Sequence, residues 1–186
     1  MAESDAACVQ KHAEALKQQG IFALVGDQSN SRTLRSWITA SSGEFDVIID
    51  DGGHTSMQIM KSFRFLWRHL KPGGLYFIED LHAGRFDFFD DVRGRCIVSD
   101  VIQAWTEQLL VANRWTAFTG QTLEVRWEET PAGMRALDAR RTHRLPPHVA
   151  FITCQREACV IGKEAGVVPS AAEYPQWDVN ESCSRK

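Results

Sequence analysis

The sequence predicts an α/β fold built on a mostly parallel sheet, and three observations carry that prediction. Residues 45 to 80 read as strand, helix, strand. The apolar run Val47-Ile48-Ile49 breaks into Asp50-Asp51-Gly52-Gly53-His54, a helical stretch follows, and Leu75 to Ile78 breaks into Glu79-Asp80. The first 80 residues alternate helical and strand-like patterns, the signature of a parallel α/β sheet. Towards the other end, Val149 to Thr153 and Cys159 to Ile161 flank Gln155-Arg156-Glu157 and predict a closing antiparallel hairpin.

Taken in order, residues 5 to 19 predict a helix with Ser4 as N-cap and Gly20 as stop. Its apolar face (Ala6, Ala13, Leu16) is thin, so it should be partly exposed. Ile21 to Val25 predicts a buried strand that ends in Gly26-Asp27-Gln28-Ser29-Asn30, before a helix carrying Leu34, Trp37 and Ile38. In the central unit Met57, Met60, Phe63, Trp67 and Leu70 share one helical face, and Lys71-Pro72-Gly73-Gly74 should stop that helix. A right-handed crossover makes the two flanking strands parallel, so their acids emerge on one sheet edge. Open α/β sheets bind ligands at that edge. Beyond it come a loop over 81 to 98 rich in Phe and Asp, and a helix from about Ser99 to Phe118. A strand through Leu123, Val125 and Trp127 and a polar excursion over 130 to 147 follow, with no internal repeat.

At 186 residues, with 44% hydrophobic and 24% charged residues, the chain is sized and composed for one soluble domain with a real core. A net charge of −3 gives no basic excess for nucleic acid, and Arg140-Arg141-Thr142-His143-Arg144 reads as a solvated loop. Five cysteines without a CxxC pair argue against a disulfide framework or structural zinc and fit a reducing compartment. The acidic start has no apolar core, and no run approaches the ~20 residues of a membrane span. The expectation is a cytoplasmic protein with neither membrane nor nucleic-acid partners.

Asp51, Glu79 and Asp80 should converge at the sheet edge as three carboxylates, which repel unless protons, bases or a cation compensate them. Oxygen ligands suit a hard divalent ion such as Mg²⁺, which keeps water or substrate hydroxyls in its remaining positions. Carboxylates also cap helix N-termini, and for Asp51 alone capping is the better reading. For three acids on one edge the cation is. His54, three residues after Asp51, is open to two readings, a general base or a first-turn surface residue.

These strings carry a family resemblance. GDQS (Gly26 to Ser29), IDDGGH (Ile49 to His54), LKPGG (Leu70 to Gly74) and IEDLH (Ile78 to His82) resemble class I S-adenosylmethionine-dependent methyltransferases. They are most similar to the metal-dependent sugar O-methyltransferases of macrolide antibiotic biosynthesis, and the resemblance covers residues 21 to 82 and, loosely, the hairpin. It implies a Rossmann-like methyltransferase fold with a C-terminal antiparallel hairpin. It implies Mg²⁺ held by Asp51, Glu79 and Asp80, with His54 and Asp51 as catalytic residues. It also implies S-adenosylmethionine contacted by Gly26, Asp27, Gln28 and Asp50, and a small-molecule hydroxyl substrate. The cation would lower the hydroxyl pKa and orient it, and in-line placement of the reactants would supply most of the acceleration.

One departure stands against it: nothing in the chain matches the family's E/D-x-G-x-G-like turn or its ribose-binding acid. The sheet is therefore expected to lack the first two strands, with 1–164 a partial methyltransferase domain and 165–186 a flexible tail. Residues 21 to 25 should then either pair with 45 to 50 or remain unpaired and mobile. The 186 residues alone should not methylate, should bind the cofactor no better than millimolar, and should tend to self-associate as a homo-oligomer. The alternatives are a degenerate methyltransferase-fold protein completed by a partner chain, or a cephalosporin-hydroxylase-like relative.

Overall fold

The computed structural model describes residues 1–89, 97–110, 114–116, 122–124 and 143–166. Strand β1 (Ala2–Glu3) pairs in parallel with β2 (Leu24–Val25). Between them lie two short helices, α1 (Ala6–Lys11) and α2 (Ala13–Gln18), where the sequence predicts one. Neither contains a buried residue, so no packing holds them on one axis, and isolated short helices are marginal. The N-cap is Asp5 rather than Ser4: its carboxylate accepts the amides of Ala7 and Cys8 at 2.8 and 3.1 Å.

Gly20 does stop the helix, at φ 70, with the Ile21 amide bonded back to Leu16 O at 2.8 Å. That cap removes Ile21 from the expected strand, leaving only Leu24–Val25 in ladder geometry. The placement of this segment corrects the sequence expectation. It neither pairs with 45 to 50 nor stays unpaired, because the N-terminal residues occupy its edge. Leu24 N donates to Met1 O at 2.9 Å, and Gly26 N to Glu3 O at 2.9 Å.

Helix α3 (Ser31–Ala40) follows, capped by Asn30, and buries Leu34 completely. Strand β3 (Phe45–Asp50), helix α4 (Ser56–Leu66) and strand β4 (Leu70–Ile78) then form the expected unit, with β3 and β4 parallel. Lys71-Pro72-Gly73-Gly74 does not end α4, however. The helix passes through a tight turn at Trp67–His69, and the KPGG residues bulge out of β4, which pairs at Phe45↔Leu70 and resumes at Val47↔Leu75.

Helix α5 (Val98–Leu110) stops short of the expected Phe118. Two short strands, β5 (Arg114–Thr116) and β6 (Thr122–Glu124), pair antiparallel. The hairpin of β7 (Val149–Gln155) and β8 (Ala158–Lys163) joins the main sheet in the order β3-β4-β8-β7, with β8 antiparallel to β4. The sequence readings at 90–96, 125–142 and 167–186, including the basic cluster through Thr142 and nearly all of the tail, lie outside the described residues.

One face of the sheet packs under α4 and α5. Phe63 is its hub, with ring centroids 5.2 Å from Trp67, 4.7 Å from Tyr76 and 5.1 Å from Trp105. Lys163 enters this core from β8, and its ammonium donates to the carbonyls of Trp67 at 3.0 Å and Leu70 at 2.8 Å. A cation there meets the negative end of the helix, and burial lowers its pKa to about 8.

Cys154 and Cys159 form a disulfide, contrary to the cysteine count argument. The two face each other in the β7/β8 register, a pairing that hairpin geometry creates and CxxC spacing does not reveal. Among the described residues no helix is long and apolar enough to cross a membrane.

Candidate active site

Parallel pairing of β3 and β4 sets Asp50 opposite Ile78, and Glu79 N donates to Asp50 O at 3.1 Å. The residues after each strand, Asp51 and Glu79-Asp80, therefore leave the sheet side by side. The chain turns sharply at Asp80, which takes a left-handed conformation (φ 51) that Asp tolerates better than most residues. The turn is secured from the hairpin by Leu81 N donating to Glu157 O at 2.8 Å.

Three predicted site residues come together. Asp51, His54 and Asp80 each offer a ligand atom, all within 4.8 Å of one another. His54 Nε2 stands 3.6 Å from Asp80 Oδ2, and its ring meets Phe89 edge-on at 5.9 Å. Glu79, expected as the third carboxylate, is exposed and not part of this group. The left-handed turn at Asp80, beyond the end of β4, brings that carboxylate rather than Glu79 beside Asp51 and His54.

Asp80 is also shared with a second group, Asp80, His82 and Glu157, in which His82 Nδ1 is 4.0 Å from both carboxylates. Neither His82 nor Glu157 was singled out from the sequence. IEDLH carries His82 two residues after Asp80, but only the hairpin register could have placed Glu157.

The residues expected to contact the cofactor divide in two. Gly26 and Asp27 sit on the loop after β2. A Cβ at Gly26 would overlap the Thr33 methyl group, so the position requires glycine. Asp27 accepts from Ser29 N at 2.7 Å and Ser29 Oγ at 2.6 Å, and these bonds hold its pKa below the usual carboxylate value. Gln28 and Asp50 turn inward. Asp50 is 8% exposed, with Oδ1 accepting from Gln28 Nε2 at 3.1 Å and Oδ2 from the Tyr76 hydroxyl at 3.0 Å. Burial raises its pKa to about 6, against the opposing pull of these hydrogen bonds. Tyr76 was invisible as a site residue because it sits in an apolar run like any core aromatic.

Chemically, the carboxylates of Asp51 and Asp80, half open to solvent, form an oxygen donor pair with room for further ligands, and the His54 imidazole within 4.8 Å stands beside it as a base. The pair suits a divalent cation that retains water or a substrate hydroxyl.

No family model matches the chain. Demethylmacrocin O-methyltransferase of Streptomyces fradiae is 46% identical over 70 residues, 38% of this chain and 17% of that protein. Mycinamicin VI 2''-O-methyltransferase of Micromonospora griseorubida is 43% identical over 61 residues, 33% of this chain and 15% of that protein. L-olivosyl-oleandolide 3-O-methyltransferase of Streptomyces antibioticus is 27% identical over 144 residues, 77% of this chain and 34% of that protein. Among solved structures, the MycE methyltransferase of the mycinamycin biosynthetic pathway, in complex with Mg, SAH and mycinamycin VI, superposes with a TM-score of 0.52. Its identity is 20%, and the match covers 81% of this chain and 34% of that one. The fold is therefore the MycE methyltransferase fold. The chain spans only 17% and 21% of the length of the first two curated relatives.

Proposed function

We propose that this chain supplies the cation-binding and hydroxyl-activating part of an S-adenosylmethionine-dependent, Mg²⁺-assisted O-methyltransferase. Its substrate would be a hydroxyl of a sugar or another small diol-bearing molecule, and its setting the cytoplasm. One observation carries the reading: Asp51, His54 and Asp80 gather within 4.8 Å at the carboxyl ends of two adjacent parallel strands. The names of two relatives support the acceptor class: one is an 8-demethyl-8-alpha-L-rhamnosyl tetracenomycin-C 2'-O-methyltransferase and the other an L-olivosyl-oleandolide 3-O-methyltransferase.

The donor set fits a divalent cation. It fits the organic cofactor only in part: the loop at Gly26 and Asp27 can meet the adenosine end, but no stretch of the 186 residues carries a Gly-rich turn for the rest. When bound, the cation polarises a hydroxyl and the cofactor supplies the methyl group. Asp51 and Asp80 would hold the cation that positions the hydroxyl, and His54 would take the hydroxyl proton at Nε2, the nitrogen facing Asp80. Glu79 is exposed at the same strand end, and the reading does not depend on it.

Calorimetry with Mg²⁺ tests the assignment. One ion per chain is expected, with Asp51→Asn and Asp80→Asn each weakening binding at least tenfold. Affinity unchanged in both variants would remove the carrying observation.

A second reading, in which the chain works against a partner or a second copy of itself, has one observation in its favour. On the sheet face away from α4, Val47 is 50% and Ile49 63% exposed. Exposed apolar patches of this kind mark interaction surfaces.

A further inference from the structure

The Gln28 amide is engaged at both ends inside the protein. Nε2 donates to Asp50 Oδ1 at 3.1 Å and to Ser62 Oγ at 2.9 Å. Oε1 accepts the Gly53 amide at 2.9 Å. The Ser62 hydroxyl donates in turn to Gln58 O at 2.9 Å, which leaves its oxygen to accept from Gln28. Between the gripped residues, Gly52 lies flush against the amide, and a Cβ there would overlap Gln28 Oε1.

The order of these contacts along the chain matters. Asp50 immediately precedes Asp51, and Gly53 immediately precedes His54. One side chain from the loop after β2 thus holds the two residues that set where the carboxylate and the imidazole begin. An amide is the group that can do this, because it presents a donor to the carboxylate of Asp50 and an acceptor to the amide of Gly53. A carboxylate lacks the donor, and an ammonium lacks the acceptor.

We propose that Gln28 is a positioning residue, which fixes the Asp51–His54 turn and with it the spacing of the cation-binding group. It acts through Asp50 and Gly53 rather than by touching the cofactor. The effect on cation affinity rests on the function proposed above, whereas the effect on the turn does not.

The test uses Gln28→Met, which keeps the volume and loses all three hydrogen bonds, and Gly52→Ala, which disturbs the same contact from the exposed side. Amide hydrogen exchange and Mn²⁺ affinity are measured in each single variant and in the double variant. Gln28→Met is expected to speed exchange at Gly53 at least tenfold and weaken Mn²⁺ about fivefold, with exchange in β4 little changed. Gly52→Ala should do the same. The double variant should be little worse than either single one, because both substitutions break the same contact between Gln28 and the Gly53 amide. A merely structural role would speed exchange throughout the core, and the two substitutions would add. Exchange at Gly53 within twofold of wild type in either folded single variant would overturn the proposal. So would loss of S-adenosylhomocysteine binding with Mn²⁺ affinity and Gly53 protection intact. Absence of Mn²⁺ binding in the wild type would instead count against the cation site, and the exchange result would still decide the role of Gln28.

Discussion

His54→Ala is expected to lower the rate of methyl transfer by ~10²-fold or more in catalytically competent material, the usual scale for a positioned base. The side chain is 23% exposed, faces Asp80 at 3.6 Å through Nε2 and is backed by the edge of Phe89. That placement limits its rotamers while leaving one side open to a hydroxyl. Alanine removes the proton acceptor but leaves Asp51 and Asp80 in place, so Mg²⁺ should still bind. S-adenosylhomocysteine formation at saturating Mg²⁺ provides the measurement. A rate within a few-fold of wild type would pass the proton to Asp51 or to water and return His54 to a surface role.

The second large effect concerns stability and falls on Asp50. Its folded pKa of about 6 lies above the ordinary 3.8, so the native state binds the proton more tightly than the unfolded chain. The stabilisation this group contributes is therefore complete below about pH 4 and is lost as pH rises through about 6. A shift of about two units corresponds to roughly 3 kcal/mol across that window. Asp50→Asn keeps an acceptor for Gln28 and presents an amide to the Tyr76 hydroxyl, which can turn to accept. The variant should gain about 3 kcal/mol relative to wild type between pH 4 and pH 8, read from denaturant unfolding at each pH. Parallel pH curves for the two proteins would show that Asp50 does not take up its proton more tightly in the folded state.

How much was legible follows from the kind of signal each feature leaves in a sequence. The β3-α4-β4 unit was plain because two apolar runs, one amphipathic helix and the acids at the strand ends each write a local pattern. That Asp51 and Asp80 reach one edge was legible for the same reason, because the parallel crossover brings both strand ends together, whereas His54 was open to two readings. Glu79 lies outside the group because the chain leaves strand geometry at Asp80, a backbone turn that no local pattern announces. The pairing of Leu24–Val25 with Ala2–Glu3, the hairpin disulfide and the approach of Glu157 to Asp80 all depend on register between distant segments. Register has no local signature. Gln28 and Tyr76 were hidden differently: each looks ordinary in its own segment, and only the fold shows that both bind Asp50.

The central claim is that one edge of this sheet brings a divalent cation and a sugar hydroxyl together. Water-proton relaxation with Mn²⁺, a paramagnetic stand-in for Mg²⁺, measures this directly. The account predicts saturable binding of one Mn²⁺ per chain, with several waters retained on the ion. A methyl rhamnoside carrying a free vicinal diol should then displace some of that water and lower the enhancement, and Asp51→Asn combined with Asp80→Asn should abolish both effects. Mn²⁺ binding that survives the double substitution, or a bound ion whose water the diol leaves untouched, would contradict it.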